Sequence, residues 1–306
     1  MPNLSIIMPV YNGEKFLDKS INSILNQTYK DFNLIIVDDC STDKSIEICN
    51  KYKKKDNRIL IFVSEKNMGN LPLNFNLFKE YLSKFVMCVD QDDWLETNAA
   101  EILIQSISET NADIVICDYF INECELSNSN ISPAILDNKN AMYQLILDKE
   151  IKSYFWNKIY TKNIFINGMK NTFNDRDIFD DFVQMPYIFK NAQKIVLIDK
   201  TLYHYYVNPF SYSLSTKKSI LHYHLAKSYW YRLSFLDKFY PELLLKTPIL
   251  NKAFSISLGT WKELKKENNN KMAYELQKYI KINKNKLKQT DISLMKKIII
   301  KILTIK

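Results

Sequence analysis

Glycine is scarce in this sequence, with four in 306 residues. A dinucleotide-binding enzyme needs a GxGxxG turn after its first strand so that the backbone can approach a pyrophosphate, and here that region offers only Gly13. A glycine-rich phosphate cradle is excluded, so phosphates would have to be neutralised by charge. The five cysteines, Cys40, Cys49, Cys88, Cys117 and Cys124, include no CxxC pair. A zinc site is not expected, and reduced thiols are the simplest account. Apolar runs are short as well: none approaches the roughly 20 residues that a bilayer-spanning helix requires. Met1-Pro2-Asn3 leads straight into a strand pattern, so no signal peptide is expected and a cytoplasmic location is.

What is present describes a folded protein with a lopsided charge. Hydrophobic content of 46% and aromatic content of 13% suit a globular chain. Its length allows a sizeable core, one α/β domain plus an extension. Net charge is +8, but residues 261–306 hold 13 Lys against 4 acidic residues, a net of +9, which leaves −1 for residues 1–260. Basic tails can bind nucleic acid; none of the recognised modules is present, and no nucleic-acid partner is expected.

Leu4-Ser5-Ile6-Ile7-Met8 reads as a buried strand stopped by Pro9. Phe16, Leu17, Ile21, Ile24 and Leu25 then recur at helical spacing, giving a helix to about residue 27. Residues 32–37 form a second strand that runs into Asp38-Asp39-Cys40-Ser41-Thr42-Asp43, where Ser41 or Asp43 could cap the next helix. A third strand at 59–63, a turn at Asn67-Met68-Gly69-Asn70, a helix over 71–82, a fourth strand at 85–89, a helix over 97–109 and a fifth strand at 113–117 follow. This alternation implies α/β architecture: a doubly wound, mostly parallel sheet flanked by helices, with right-handed crossovers.

The fourth strand ends in Asp90-Gln91-Asp92-Asp93. Three carboxylates within four residues repel one another unless they are solvated or neutralised by a hard divalent cation such as Mn²⁺ or Mg²⁺. In open α/β sheets ligands bind beyond the carboxyl ends of the strands, which is where these acids fall. A solvated acidic turn is the alternative.

Five segments together carry a resemblance. Ser5-Ile6-Ile7-Met8-Pro9-Val10-Tyr11-Asn12, Ser23-Ile24-Leu25-Asn26-Gln27-Thr28, Ile36-Val37-Asp38-Asp39-Cys40-Ser41-Thr42-Asp43, Asn67-Met68-Gly69 and Asp90-Gln91-Asp92-Asp93 follow, in order and spacing, the pattern of family 2 glycosyltransferases with the GT-A fold. Trp156-Asn157-Lys158-Ile159-Tyr160 and Asp180-Asp181-Phe182 look like the family's shorter second-half motifs. The resemblance covers about residues 4–215. It implies a GT-A domain over 1–215, with a nucleotide-sugar-binding half to about 120 and an acceptor half beyond, and leaves 216–306 as a helical extension.

The resemblance further implies a metal-dependent, inverting sugar transfer from a nucleoside-diphosphate donor, a UDP-sugar, to an oligosaccharide or lipid-linked glycan acceptor in capsule, lipooligosaccharide or other surface polysaccharide synthesis. Pro9, Val10 and Tyr11 would lie along the base, with the Tyr11 ring stacked on it and Asp39 accepting from the base edge. Asn67, Asp90, Gln91 and Asp92 would belong to the same nucleotide-sugar site, and Asp92 and Asp93 would hold Mn²⁺ or Mg²⁺. Asp181 matches the base that takes the acceptor's proton; a helix N-terminal acid pair is the plainer reading. Asp180 stands where glutamate is commoner. Trp156, Lys158 and Asp180 would shape the acceptor site, although an aromatic at this spacing is as often core. His204 could be a further metal or phosphate contact, or a packed histidine. The arginine that the family often has near Tyr206 is absent.

Beyond residue 221, Tyr223, Tyr229, Trp230, Phe235 and Phe239 suggest packed helices, with a loop at Asn268-Asn269-Asn270. His222 and His224 would diverge on a helix, and no metal is assigned to them. At the end, Ile292, Met295, Ile298, Ile299 and Ile302 against Lys296, Lys297, Lys301 and Lys306 make a basic amphipathic helix. It would either dock on the protein itself or hold an anionic membrane surface at the inner face of the cytoplasmic membrane. Two other functions fit the fold class. A nucleotidyltransferase would want a glycine-rich basic loop where Asn12-Gly13-Glu14 stands, and a non-catalytic glycan-binding scaffold could do without the acids.

Overall fold

The computed structural model describes residues 2–69, 71–122, 125–126, 131–170 and 178–304. Cys124 and Asn70 lie outside the described residues, as do the last two residues of the basic tail. The chain forms two compact units, Met1–Arg176 with Gln184–Asn208, and Asp177–Val183 with Pro209–Lys306.

The first unit is built on one mixed sheet. Its strands are β1 (Leu4–Val10), β2 (Phe32–Asp38), β3 (Ile59–Val63), β4 (Phe85–Cys88), β5 (Trp94–Leu95), β6 (Ile114–Ile121), β7 (Glu125–Leu126), β8 (Ala134–Asp137), β9 (Lys158–Thr161) and β10 (Lys194–Tyr205). The order is β3-β2-β1-β4-β9-β6-β10-β5, with β7 on β6 and β8 on β10. Strands β1 to β4 are mutually parallel, with Leu4 opposite Phe32 on one side and Phe85 on the other. A parallel strand at the centre of such a sheet is covered on both faces, and β2 is buried along its whole length.

Helices cover both faces: α1 (Leu17–Leu25), α2 (Ser45–Lys53), α3 (Leu71–Phe78), α4 (Ala99–Thr110), α5 (Asn138–Leu147), α6 (Lys162–Met169) and α7 (Asp180–Phe189). Alternation along the strands decides which side chain meets which layer. Leu4, Ile6, Met8, Leu34, Ile36 and Met87 share one core with Leu17, Ile21 and Ile24 of α1 and Leu103 and Ile107 of α4. The other face meets α3 and α6, where Phe75 packs edge-on against Phe78 and Phe165. Each fully buried aliphatic side chain contributes about 1.5–3 kcal/mol. Helices α6 and α7 approach so closely that a Cβ on Gly168 would lie 2.6 Å from the Cα of Ile188.

Three expectations are corrected. Strand β1 runs through Pro9 to Val10 rather than stopping at Met8. Its ladder with β4 ends at Ile7–Cys88, closed by Val89 N donating to the Ile7 carbonyl, so the missing N–H of Pro9 costs no bond there. The helix expected to reach residue 82 ends at Phe78 and tightens into a 3₁₀ turn at Lys79–Tyr81. Lys158, expected at the acceptor site, lies in β9, which is inserted antiparallel between β4 and β6.

The second unit is helical: α8 (Tyr212–Ser215), α9 (Lys218–Phe239), α10 (Pro241–Lys246), α11 (Ile249–Lys266), α12 (Asn270–Ile282) and α13 (Leu294–Leu303). Tyr223, Ala226, Leu264, Ala273 and Leu276 form its core, and the Trp230 indole packs edge-on to Phe254 while donating to Ser257 Oγ at 2.9 Å. Asn268 takes positive φ, which asparagine tolerates, and Asn269 caps α12 by accepting from Met272 N. His222 faces Glu263 and His224 faces the Tyr212 hydroxyl, so the two histidines do diverge.

Candidate active site

The loops after β1, β2 and β4 are tied into one rim at the carboxyl end of the sheet. Asn12, at φ 49°, donates its N–H to Ser41 Oγ and accepts from Thr42 N at 2.8 Å. Gly13 N donates to Ser45 Oγ, Glu14 N to Asp43 Oδ2, and Lys44 N back to Glu14 Oε2. Partial burial opposes the charge of Asp43, yet the hydroxyl and N–H of Ser45 and the N–H of Glu14 hold its carboxyl below the usual range.

Gln91 clamps the first loop to the fourth. Its Oε1 accepts from Tyr11 N at 2.9 Å and its Nε2 donates to the Tyr11 carbonyl at 3.0 Å. A Cβ on Gly13 would lie 2.2 Å from that Oε1, so glycine is needed here to leave the clamp room. The Tyr11 ring stays 45% exposed above the loop whose backbone Gln91 fixes.

Asp39 organises the third loop. Oδ1 accepts from Met68 N at 2.7 Å and Asn74 Nδ2 at 3.0 Å, while Oδ2 accepts from Gly69 N at 2.7 Å. Gly69 has φ 81°, which a residue with a side chain rarely adopts. A carboxylate offers about four acceptor positions, so one on Oδ2 stays open.

The acid cluster splits into buried and accessible parts. Asp93 is buried, with Oδ2 accepting from the Tyr203 hydroxyl at 2.6 Å and Oδ1 from Tyr206 N at 2.8 Å. Burial, then the charges of Asp90 and Asp92, push its carboxyl well above the usual range against the pull of those two donors. Asp93, expected as a cation ligand, is a buried strut with one protein donor on each oxygen. Tyr203 also accepts from Asp90 N at 3.1 Å, so a single phenol fixes both ends of the turn. Asp92 is half-buried; Oδ2 accepts from Asn208 Nδ2 at 2.8 Å, and Oδ1 accepts from no described residue.

Among the described residues, no three His, Cys, Asp or Glu side chains converge on a common cation position. Mg²⁺ and Mn²⁺ are commonly held by one or two carboxylates, with water and substrate phosphates completing the shell. Asp92, with an uncommitted oxygen beside Asp90, fits that donor set. Asp93 does not.

Trp156 and Lys158 are interior. The Trp156 ring stacks on Tyr203 at 4.5 Å and on Tyr154 at 4.6 Å, and Lys158 is fully buried, donating to the Tyr154 carbonyl and Asn157 Oδ1. Neither is available to an acceptor, and Trp156 instead backs the phenol that holds Asp93. His204 is sandwiched between Trp94 and Phe120; its Nε2 faces Glu96 Oε1 at 2.7 Å and its Nδ1 the Asn122 carbonyl at 3.2 Å. Both ring nitrogens thus meet protein oxygens, in place of a metal or phosphate. In the second unit, Asp180 and Asp181 open α7, and Asp181 Oδ1 accepts from Phe182 N. Arg232, also buried there, stacks over the Phe182 ring and donates to the Phe182 carbonyl.

Tyr203, Tyr206 and Asn208 carry the cluster and gave no signal in the sequence. They lie more than a hundred residues from the acids they hold.

A family model described as glycosyl transferase family 2 matches residues 5–181. The glycosyltransferase GlyA of Streptococcus pneumoniae is 30% identical over 221 residues, which cover 69% of this chain and 31% of GlyA. The chain thus spans less than a third of that relative. Staphylococcus aureus TarS (1–349) in complex with UDP-GlcNAc superposes with TM-score 0.72 at 21% identity, over 91% of this chain and 81% of TarS. A mannosyltransferase from Pyrobaculum calidifontis, in complex with GDP-Man and Mn²⁺, superposes with TM-score 0.58 at 13% identity, over 98% and 79%. With the family model spanning more than half of the sequence and the sheet and its loops arranged as described, the chain belongs to glycosyl transferase family 2 and has the GT-A fold.

Proposed function

We propose that the protein is a metal-dependent, inverting glycosyltransferase that moves a sugar from a UDP-sugar to an oligosaccharide or lipid-linked glycan acceptor in bacterial surface polysaccharide synthesis. The observation that carries this reading is the division of labour in the acid cluster, where Asp93 is pinned inside and Asp92 keeps an open oxygen at the strand end.

In this reading Pro9, Val10 and Tyr11 lie along the base, and the Gln91 clamp fixes that loop so the Tyr11 ring can stack on it. Asp39 orders the Asn67-Met68-Gly69 turn, and its open lone pair accepts from the base edge. Asp92, with Asp90, would hold Mn²⁺ or Mg²⁺, which would supply Lewis-acid stabilisation of the departing nucleoside diphosphate. Asp181 is the base, taking the proton of the acceptor hydroxyl as that oxygen attacks the anomeric carbon from the face opposite the leaving group. Asp181 is assigned on its motif; the UDP-GlcNAc complex of TarS and the Mn²⁺ complex of the mannosyltransferase support the donor and cation classes by fold likeness.

The test is a panel of UDP- and GDP-sugars incubated with the protein with and without Mn²⁺, read as nucleoside diphosphate release and as a thermal shift. One UDP-sugar should stand out in both and only with cation. Equal response without cation, or to no sugar nucleotide at all, refutes the proposal.

A further inference from the structure

Helix α13 has two faces, and the protein uses one of them. Ile300 is fully buried, and Gln277 of α12 donates to the Leu303 carbonyl at 2.6 Å, so the helix is docked on its own unit. At 3.6 residues per turn, Leu294, Ile298, Ile302 and Met295 gather on the side opposite Ile300. They are 74, 47, 62 and 73% exposed. Single exposed apolar residues are ordinary, but four large ones in a stripe on a ten-residue helix mark an interaction surface.

Charge selects the partner. Helix α13 contains no acidic residue; Lys301 flanks the exposed stripe, while Lys297 donates to the Thr290 carbonyl and Lys296 to Ser255 Oγ, and residues 261–306 carry a net +9. Helix α12, packed beside it, exposes Tyr274, Lys278 and Ile282 at i, i+4 and i+8, which share one side of that helix. A second copy of this chain would bring together two faces of the same sign, since residues 261–306 hold 13 Lys against 4 acidic residues. An anionic lipid surface supplies both an apolar layer and the opposite charge. No described helix is long and apolar enough to cross a bilayer, so the contact is interfacial.

We propose that the outer face of α13 docks on an anionic membrane surface, with Leu294, Met295, Ile298 and Ile302 entering the headgroup boundary while Lys301, exposed at the edge of that stripe, meets lipid phosphates. The sequence left self-docking and membrane contact as alternatives. In the structure they occupy different faces of one helix, so the anchor is preformed and needs no folding step on binding.

The experiment is flotation of the full chain with vesicles of pure phosphatidylcholine and of equal parts phosphatidylcholine and phosphatidylglycerol. The parent should float with the anionic vesicles only and be released by salt. The triple variant Leu294→Ser, Ile298→Ser, Ile302→Ser should bind them about tenfold more weakly or worse at unchanged melting temperature, because these side chains are exposed. If its melting temperature drops, the charge variant Lys278→Glu, Lys301→Glu must show the loss instead. The proposal falls if the parent does not float, if it floats as well with neutral vesicles, or if the folded variants bind like the parent. It also falls if the parent forms a dimer that the triple variant abolishes, which would put a second copy on this face.

Discussion

The strut beneath the active site makes a quantitative prediction for Tyr203→Phe. The substitution keeps the ring that stacks on Trp156 but removes the hydroxyl that donates to Asp93 Oδ2 and accepts from Asp90 N. A hydrogen bond to a charged group contributes about 1.5–3 kcal/mol, and here its loss also leaves a buried carboxylate with one donor fewer. The cost should depend on pH. The Asp93 carboxyl is already raised well above its usual range, and losing a donor that favours the charged form raises it further. A group with a raised folded pKa contributes stability that is present below its unfolded value and lost as pH rises through the folded value. Tyr203→Phe raises the folded value further, so its destabilisation should grow as pH rises through the parent's folded value, which lies above the usual carboxylate range. Urea unfolding across the accessible pH range measures it, and Asp93→Asn in the same background should remove most of any pH dependence because nothing is left to ionise. Transfer should fall about tenfold, since a turn that shifts Asp92 by a fraction of an ångström misplaces about 1.4 kcal/mol of transition-state stabilisation. A cost below about 0.5 kcal/mol, a typical surface value, would refute the strut.

Asp92→Asn should lower transfer about 10²-fold or more with the fold intact, and EDTA should do the same to the parent; undiminished turnover in EDTA would refute cation dependence. Asp181→Asn should lower kcat about 10²- to 10⁴-fold with donor affinity by calorimetry nearly unchanged, and Asp180→Asn should cost less. Gly168→Ala should destabilise by about 1–3 kcal/mol in thermal or urea unfolding, because the new methyl meets the Ile188 backbone and one of two packed helices must move; an unchanged midpoint would show that they can.

Much of the first half was legible because its signals are local. Strand β3 was readable in place from five apolar residues in a row, and Asp90, Asp92 and Asp93 announced themselves by crowding. The parts that were not legible depend on pairing. Asp93 looked like a ligand because the sequence shows a carboxylate and not the phenol 110 residues away that occupies it. Trp156 read equally as acceptor site or core, and Lys158 as acceptor site because a lysine reads as polar, whereas buried carbonyl and amide oxygens satisfy its ammonium. His204 could be read either way until its ring was seen between two aromatic rings.

The antiparallel strand inserted at the middle of the sheet has a consequence for how the chain is made. When β4 has left the ribosome, one of its edges is bare, and the strand that will cover it starts at Lys158, about 70 residues later. At the usual pace of synthesis that gap is several seconds, during which Phe85-Val86-Met87-Cys88 offers an unpaired apolar edge to any other extended chain. The nascent first half is therefore the stage most exposed to misassembly, and chaperone dependence should concentrate there. A library of stalled chains should show protease protection of β1 to β4 rising sharply once Thr161 clears the exit tunnel, and expression in cells should respond more to substitutions that polarise the β4 edge than to equally destabilising ones in the helical second unit.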